Sequence, residues 1–401
     1  MNDWSAELRR CVRCGACREV CPVFAVTKME TDVARGRLAS IERAGQLGRL
    51  SAADREAISR CLLCGRCAEV CQSEIRVADI VRDAKARAGA AGFEFWAANA
   101  LADPKRLARM TRRARSFLEW LARATPDESG LRLRFALPYL ETGRYFPRPP
   151  KEPYLTRVAT RPAVGATRIA LFLGCGAGRL FEGISDALDT ILAQFDLTAA
   201  VPEQACCGLP AWGVGADRAA RDAALNWLDV FSGDYEAILS PCASCTAHLQ
   251  KNIPMILAAT PREDEAKAAT NKVHDFFAWL RRSGWRIDRR GARVAVHLPC
   301  HARHDVREGD ALVALLRECG ADVIALPAAL ENSCCGMGGT FGVRHPELSR
   351  AIGERKISAM LRERPEVILT SCSGCLLQLR DLADRLGATA PILHAAQWLA
   401  G

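Results

Sequence analysis

Eight cysteines near the start of the chain constrain its folding more than any other feature. "CVRCGACREVCP" sets Cys11, Cys14, Cys17 and Cys21 at two–two–three spacing, and "CLLCGRCAEVCQ" repeats it with Cys61, Cys64, Cys67 and Cys71. A loop turning tightly through Gly15 or Gly65 lets three thiolates converge on three corners of a cube, while the fourth cysteine starts a segment that leads away. In all, 19 of 401 residues are cysteine. Disulfide scaffolds with that many are short and secreted, whereas "MNDWSAELRR" at the N-terminus has no apolar signal region. The expectation is a cytoplasmic chain whose thiols stay reduced and bind metal. No stretch approaches the ~18 apolar residues of a membrane span. The net charge of +9, with 25% charged residues spread widely, does not point to nucleic acid; it suits anionic cofactors, a lipid surface or an acidic partner.

Both runs follow the spacing of bacterial two-cluster ferredoxins, in which the fourth cysteine of each run ligates the other cluster. Cys11, Cys14, Cys17 and Cys71 are therefore assigned to one [4Fe–4S] cluster, and Cys61, Cys64, Cys67 and Cys21 to a second. Zinc is the competing reading, but zinc sites use paired two-cysteine knuckles rather than four cysteines in one run. Gln72 stands where a proline would normally follow Cys71. Between the runs, "ETDVARGRLASIERAGQ" and "SAADREAISR" have apolar residues spaced by three and four, and Ser51 with Asp54 resembles a capping box. A helical ferredoxin-type domain over residues 1–90 is expected.

Cysteines then stop. In "PKRLARMTRRARSFLEWLARA", Leu107, Met110, Ala114, Phe117 and Leu121 share one helical face, and Lys105, Arg106, Arg109, Arg112, Arg113, Arg115 and Arg123 cover much of the rest. Such a helix can pack on its own protein, dock on a partner subunit, or lie on an anionic membrane. "RYFPRPPKEPY" is proline-rich and reads as an extended linker, making 91–160 a basic amphipathic connector.

The remainder repeats itself. "RIALFLGCGAG" matches "RVAVHLPCHAR", "ACCGLPAWG" matches "SCCGMGGTFG", and "AILSPCASC" matches "VILTSCSGC", each pair about 125–130 residues apart. Strands alternating with helical patterns imply two pseudo-symmetric α/β domains with parallel sheets, at 161–285 and 286–401. Ligands bind beyond the carboxyl ends of such strands. Cys175, Cys206, Cys207, Cys242 and Cys245 are expected to meet at one pole, and Cys300, Cys334, Cys335, Cys372 and Cys375 at its counterpart. A vicinal disulfide would not need three further cysteines, nor a bare dithiol the same set twice, so each set indicates a metal–sulfur assembly. Arg303, His304 and Arg344 are candidates for offsetting its charge, and Cys319 reads as a plain buried thiol. His297, His301 and His304 flank Cys300 and either support the site or take part in it; the first half has Leu171–Gly178 there, without histidine. "GCGAGR" after a strand lacks the companion acid of a dinucleotide site.

These motifs, a cysteine, a Cys-Cys-Gly and a Cys-x-x-Cys, resemble the CCG domain. A two-cluster ferredoxin domain followed by two of them is similar to the iron–sulfur subunits of glycolate oxidase and anaerobic glycerol-3-phosphate dehydrogenase, and to the catalytic subunit of heterodisulfide reductase. The resemblance implies an oxidoreductase subunit passing electrons from a flavoprotein partner, acting on a 2-hydroxy acid such as glycolate or lactate, to quinone or another acceptor. It could work peripherally on the inner face of the membrane. In heterodisulfide reductase a complete five-cysteine set holds a noncubane [4Fe–4S] cluster that attacks a disulfide. Both sets here are complete, so the resemblance allows one or two such clusters. Cys300, Cys334, Cys335, Cys372 and Cys375 would then be the reacting set, and Cys175, Cys206, Cys207, Cys242 and Cys245 a cofactor-binding one. The alternatives are a disulfide-reducing enzyme, a glycerol-3-phosphate dehydrogenase subunit, and a docking platform with structural zinc or an ordinary cluster.

Overall fold

The computed structural model describes residues 4–89, 92–126, 129–136, 142–158, 160–162, 168–306 and 308–401. In each N-terminal loop two residues with positive φ flank the second cysteine: Arg13 and Gly15 around Cys14, and Leu63 and Gly65 around Cys64. The loops are thereby wound tightly before the short helices Ala16–Val20 and Arg66–Glu69. They then diverge. Pro22 opens the helix Pro22–Thr27, its fixed φ already suited to a first turn, and the Cys21 sulfur accepts from the Phe24 amide at 3.5 Å. After Cys71, Gln72 enters a turn and the next helix begins only at Val77. The intervening segment is helical, as its periodicity requires, in Ala34–Leu47 and Ala52–Ser59. Ser51 caps the latter reciprocally: its hydroxyl accepts from the Asp54 amide at 3.1 Å, and its amide donates to the Asp54 carboxylate at 3.0 Å. Trp4, Leu38, Ile58, Ile80 and Val81 form this region's core.

The connector departs from the extended-linker expectation. After the helix Pro104–Leu121, strands β1 (Ala122–Ala124), β2 (Gly130–Leu133) and β3 (Tyr145–Pro147) form an antiparallel sheet in the order β1-β2-β3. Prolines and arginines mask strands this short in the sequence. They are held by pairing and by Arg132, which reaches Asp381 at 2.8 Å and Asp384 at 2.5 Å. Along the preceding helix Leu107 is buried, whereas Met110, Phe117 and Trp120 are exposed. The side chains of Arg112, Arg113 and Ala114 lie outside the described residues.

Two parallel sheets follow. The first has β4 (Ile169–Leu171), β5 (Ala237–Ser240) and β6 (Val273–Asp275) in that order, with Ala200 bridged to β4. The second, formed by β7 (Arg293–His297), β8 (Asp322–Val323), β9 (Val367–Thr370) and β10 (Ile392–His394), runs β10-β9-β7-β8. β5 and β9 are buried along their whole length, which is why "AILS" and "VILT" are not alternating patterns. One apolar core serves both sheets: Ile184, Leu188 and Ile191 join Leu376, Leu379 and Leu399, and Val23 and Leu62 of the cysteine loops reach the same cluster. Cys319 is buried in it. Among the described residues no helix is long and apolar enough to cross a membrane.

Candidate metal centres

Every cysteine of the two repeated sets lies just past a strand's carboxyl end or on a glycine-hinged loop. Cys175 follows β4, and Cys242 precedes the helix Ala243–Ala247 that carries Cys245. Cys300 opens the helix Cys300–His304, and Cys372 precedes Ser373–Arg385, which carries Cys375. The doublets Cys206–Cys207 and Cys334–Cys335 each precede a glycine with φ near 90°, Gly208 and Gly336. A Cβ on Gly208 would lie 2.9 Å from the Ala223 Cβ, and one on Gly336 only 2.2 Å from the Ser349 carbonyl oxygen. These glycines therefore seat each doublet against the helix behind it.

The sulfurs form one continuous series. Cys175 and Cys206 are 3.8 Å apart, Cys207 is bonded by Cys206 and Cys245, and Cys245 touches Cys242. In the other set Cys300 touches Cys334, Cys334 touches Cys335, and Cys335 lies 3.3 Å from Cys375, which neighbours Cys372. The expectation of two separate poles needs amending, because Cys242 of one set touches Cys372 of the other. The shared core brings the ends of β5 and β9 together there: the Ala243 amide donates to the Ser371 carbonyl at 2.9 Å, and the Ser244 hydroxyl lies 3.1 Å from the Cys372 sulfur and 3.0 Å from His301 Nδ1.

No disulfide forms among the nineteen cysteines. Thiols crowded this closely share protons unequally. Hydrogen bonds from Cys206 and Cys245 hold Cys207 down to about 5. Bonds from Cys300 and Cys335 hold Cys334 well below an ordinary thiol, and Cys242 and Cys375 do the same for Cys372. The other seven thiols of the two sets are pushed up, so each set combines one or two thiols poised as thiolate with neighbours that hold their protons until a metal displaces them. Five sulfurs gathered in this way fit an iron–sulfur group by the chemistry of their donors.

The N-terminal cysteines adjoin the second set. Burial pushes Cys64 up, followed by the charges of Cys334, Cys67 and Cys21; burial also raises Cys67, followed by Cys61, Cys21 and Cys17. Cys21 thus keeps company with Cys61, Cys64 and Cys67, and Cys64 with Cys334 and Cys300. The contact is tight, since a Cβ on Gly65 would meet the His304 Cβ at 3.3 Å, and one on Gly338 would meet Leu62 at 2.4 Å. His304 is paired with Glu69, Arg344 with Glu56 at 3.6 Å, and His345 Nε2 lies 3.0 Å from the Ser59 hydroxyl. His304 and Arg344 therefore tie the loops to the second α/β half. Arg303 stays near the cysteines, its charge felt by His297 and Lys356.

Two side chains with no weight in the repeat pattern stand at the second set. His297, the last residue of β7, is fully buried, and among the described residues neither ring nitrogen has a hydrogen-bond partner. A nitrogen of its ring and the sulfurs of Cys335 and Cys375 all lie within 4.8 Å of one another. Leaving such a group unsatisfied costs about 1–3 kcal/mol. Lys356 is also fully buried, donating to the Leu330 and Glu331 carbonyls at 2.7 and 2.9 Å. Phe172, three residues before Cys175, takes the place of His297 in the first set. Lys356 lies in the helix Pro346–Arg362 behind the second doublet, whereas the corresponding helix of the first half, Asp217–Phe231, buries the aromatic residues Trp227 and Phe231. Polar residues in place of aromatic ones were the readable signal, visible only once both repeats are set side by side.

Comparison with known proteins agrees with this geometry. The 4Fe-4S dicluster domain family matches residues 7–75, and the Cysteine-rich domain (CCG) family matches 169–250 and again 294–380. The Glycolate oxidase iron-sulfur subunit of Escherichia coli is 26% identical over 389 residues, covering 93% of this chain and 89% of that protein. Lactate utilization protein A of Shouchella clausii is 28% identical over 236 residues, covering 58% of this chain and 98% of the relative. The same protein of Geobacillus thermodenitrificans is 28% identical over 239 residues, with the same coverage of each. The chain thus carries a 4Fe-4S dicluster domain followed by two cysteine-rich domains, and over most of its length it is similar to the iron–sulfur subunit of an oxidoreductase.

Proposed function

We propose that this chain is the electron-transfer subunit of a flavin-dependent 2-hydroxyacid dehydrogenase complex. It would carry electrons between a flavoprotein partner, oxidising a substrate of the glycolate or lactate type, and quinone or another acceptor. The observation that carries this reading is the series of closely placed cysteines in the two five-cysteine sets, from Cys175 to Cys300, with Cys64 of the dicluster loops near enough for its charge and those of Cys300 and Cys334 to act on one another. Clusters held by Cys11, Cys14, Cys17 and Cys71, by Cys61, Cys64, Cys67 and Cys21, and by the two five-cysteine sets would supply one-electron carriers. The protein's own part is to keep these groups close, fix their surroundings and, at the more deeply buried five-cysteine sets, exclude water. The two α/β halves would act as a pseudo-symmetric pair, with Cys64 of the dicluster domain approaching the cysteines of the second. The relatives support the substrate class, since their names refer to glycolate oxidase and lactate utilization. The exposed Met110, Phe117 and Trp120 on the basic helix would serve a peripheral contact with an anionic membrane.

Completeness of both five-cysteine sets favours a second reading, reduction of a disulfide at the Cys300, Cys334, Cys335, Cys372 and Cys375 site. Oxygen-free purification with iron and sulfide analysis, electron paramagnetic resonance and identification of bound subunits separates the two. A co-purifying flavoprotein and 2-hydroxyacid-dependent reduction are expected. About sixteen irons with a signal altered by thiols, and no flavoprotein, would favour the disulfide reductase. A colourless, iron-free yet active protein would remove both readings.

A further inference from the structure

The two cysteine-rich sites share their thiol pattern but differ in the group beside it. At the first, Phe172 is buried edge-on to Phe231, which stacks on Trp227. At the second, the corresponding place holds His297, whose buried nitrogens find no partner among the described residues. Thr370, paired with His297 across β7 and β9, has an equally buried hydroxyl without a partner among the described residues. A chain that buries an imidazole here, where its own repeat uses a phenyl ring, accepts the loss of a hydrogen bond unless a further group supplies one. The ring lies within 4.8 Å of the Cys335 and Cys375 sulfurs, so that group sits at these two thiolates.

We propose that His297 is a positioning residue that donates an N–H hydrogen bond to a sulfur of the iron–sulfur group held by Cys335 and Cys375, making this centre the more easily reduced of the two. The inference rests on reading the five C-terminal cysteines as cluster ligands. A donor aimed at sulfur stabilises the extra negative charge of the reduced state, and so raises the potential of the centre it touches. Phe172 offers no such donor. The centre next to the dicluster loops is thereby the electron sink, and the one at Cys175, Cys206, Cys207, Cys242 and Cys245 is the harder to reduce.

The test uses the full-length, anaerobically purified protein. His297→Phe, which copies the first site, should keep its iron, shift the midpoint potential of one centre to a more negative value, and alter that centre's paramagnetic signal. His297→Gln, which retains an N–H donor, should recover part of the shift. Unchanged potentials and signals in His297→Phe would overturn the proposal. Selective loss of iron from a folded His297→Phe would also overturn it, by making the histidine a ligand. If the phenylalanine variant does not fold, wild-type protein labelled with 15N-histidine decides: weak nitrogen coupling to one centre is expected, while none, or the strong coupling of a bound nitrogen, refutes the donor role. Absence of iron at the C-terminal cysteines in wild type would instead remove the ligand assignment on which the inference stands.

Discussion

A single hydrogen atom in place of a methyl group decides whether the Cys334–Cys335 doublet can take its position. At Gly336 a side chain would meet both a positive φ and a carbonyl oxygen 2.2 Å away, and neither can move cheaply. Gly336→Ala should destabilise the protein by about 3 kcal/mol or more, read as a fall in the denaturation midpoint. Gly339→Ala is the control: φ is also positive there, but nothing lies within 4 Å, so only the backbone cost of about 1–2 kcal/mol applies. His394 sets a pH dependence. Burial pushes its imidazole down to about 4, and its Nδ1 accepts from the Ala396 amide at 3.3 Å. Between pH 6.5 and 4 the unfolded chain takes up a proton that the folded chain refuses, so this contribution to stability declines as pH falls through that window. His394→Asn keeps a capping acceptor without the titration. Its melting temperature should vary less with pH between 6.5 and 4 than that of wild type, and an unchanged pH profile would refute the assignment. The eight N-terminal cysteines and Gly15 and Gly65 were legible as residues because spacing alone dictates their geometry. His297 was named in the sequence, but its missing partners were not legible, since a hydrogen-bond deficit exists only in three dimensions.

Among the elements, the small sheet of the connector was the least legible. Strands of three or four residues carry too few positions for an alternating pattern, and Pro147 to Pro150 resemble linker. Its stability comes from outside, through the Arg132 fork onto Asp381 and Asp384 of the helix bearing Cys375. All three side chains are largely buried. Arg132→Ala should therefore cost about 2–3 kcal/mol, below the full penalty for a broken buried pair because Arg385 still holds Asp381. Denaturant titration measures it, and a change under about 0.5 kcal/mol would mean the sheet is not anchored there. The helices Ala34–Leu47 and Ala52–Ser59 were readable because three–four periodicity and the Ser51–Asp54 pair are local signals. β5 and β9 were readable as buried runs, although not their places in the sheets.

At the scale of the molecule the dicluster loops approach the second cysteine-rich set through Cys64, while the helix Val77–Ala88 of the same domain packs on the first half, Arg82 donating to the Trp212 carbonyl at 3.1 Å. Cys335→Ala should leave the paramagnetic signals of the dicluster domain intact while abolishing reduction of the acceptor, followed by rapid mixing with a reduced donor. Unimpaired turnover would take the C-terminal site out of the path. The sequence by itself determined that a dicluster domain is followed by two cysteine-rich α/β units, and it marked the cysteines expected to hold metal, because ligand spacing and strand–helix alternation are properties of short stretches. The tertiary structure alone decided that the two sets join at Cys242 and Cys372, and that Cys64 of the dicluster loops lies by the second set while the helix Val77–Ala88 packs on the first half. Those relations follow from one apolar core being buried between segments more than a hundred residues apart, and no local pattern records which surfaces such a core brings together.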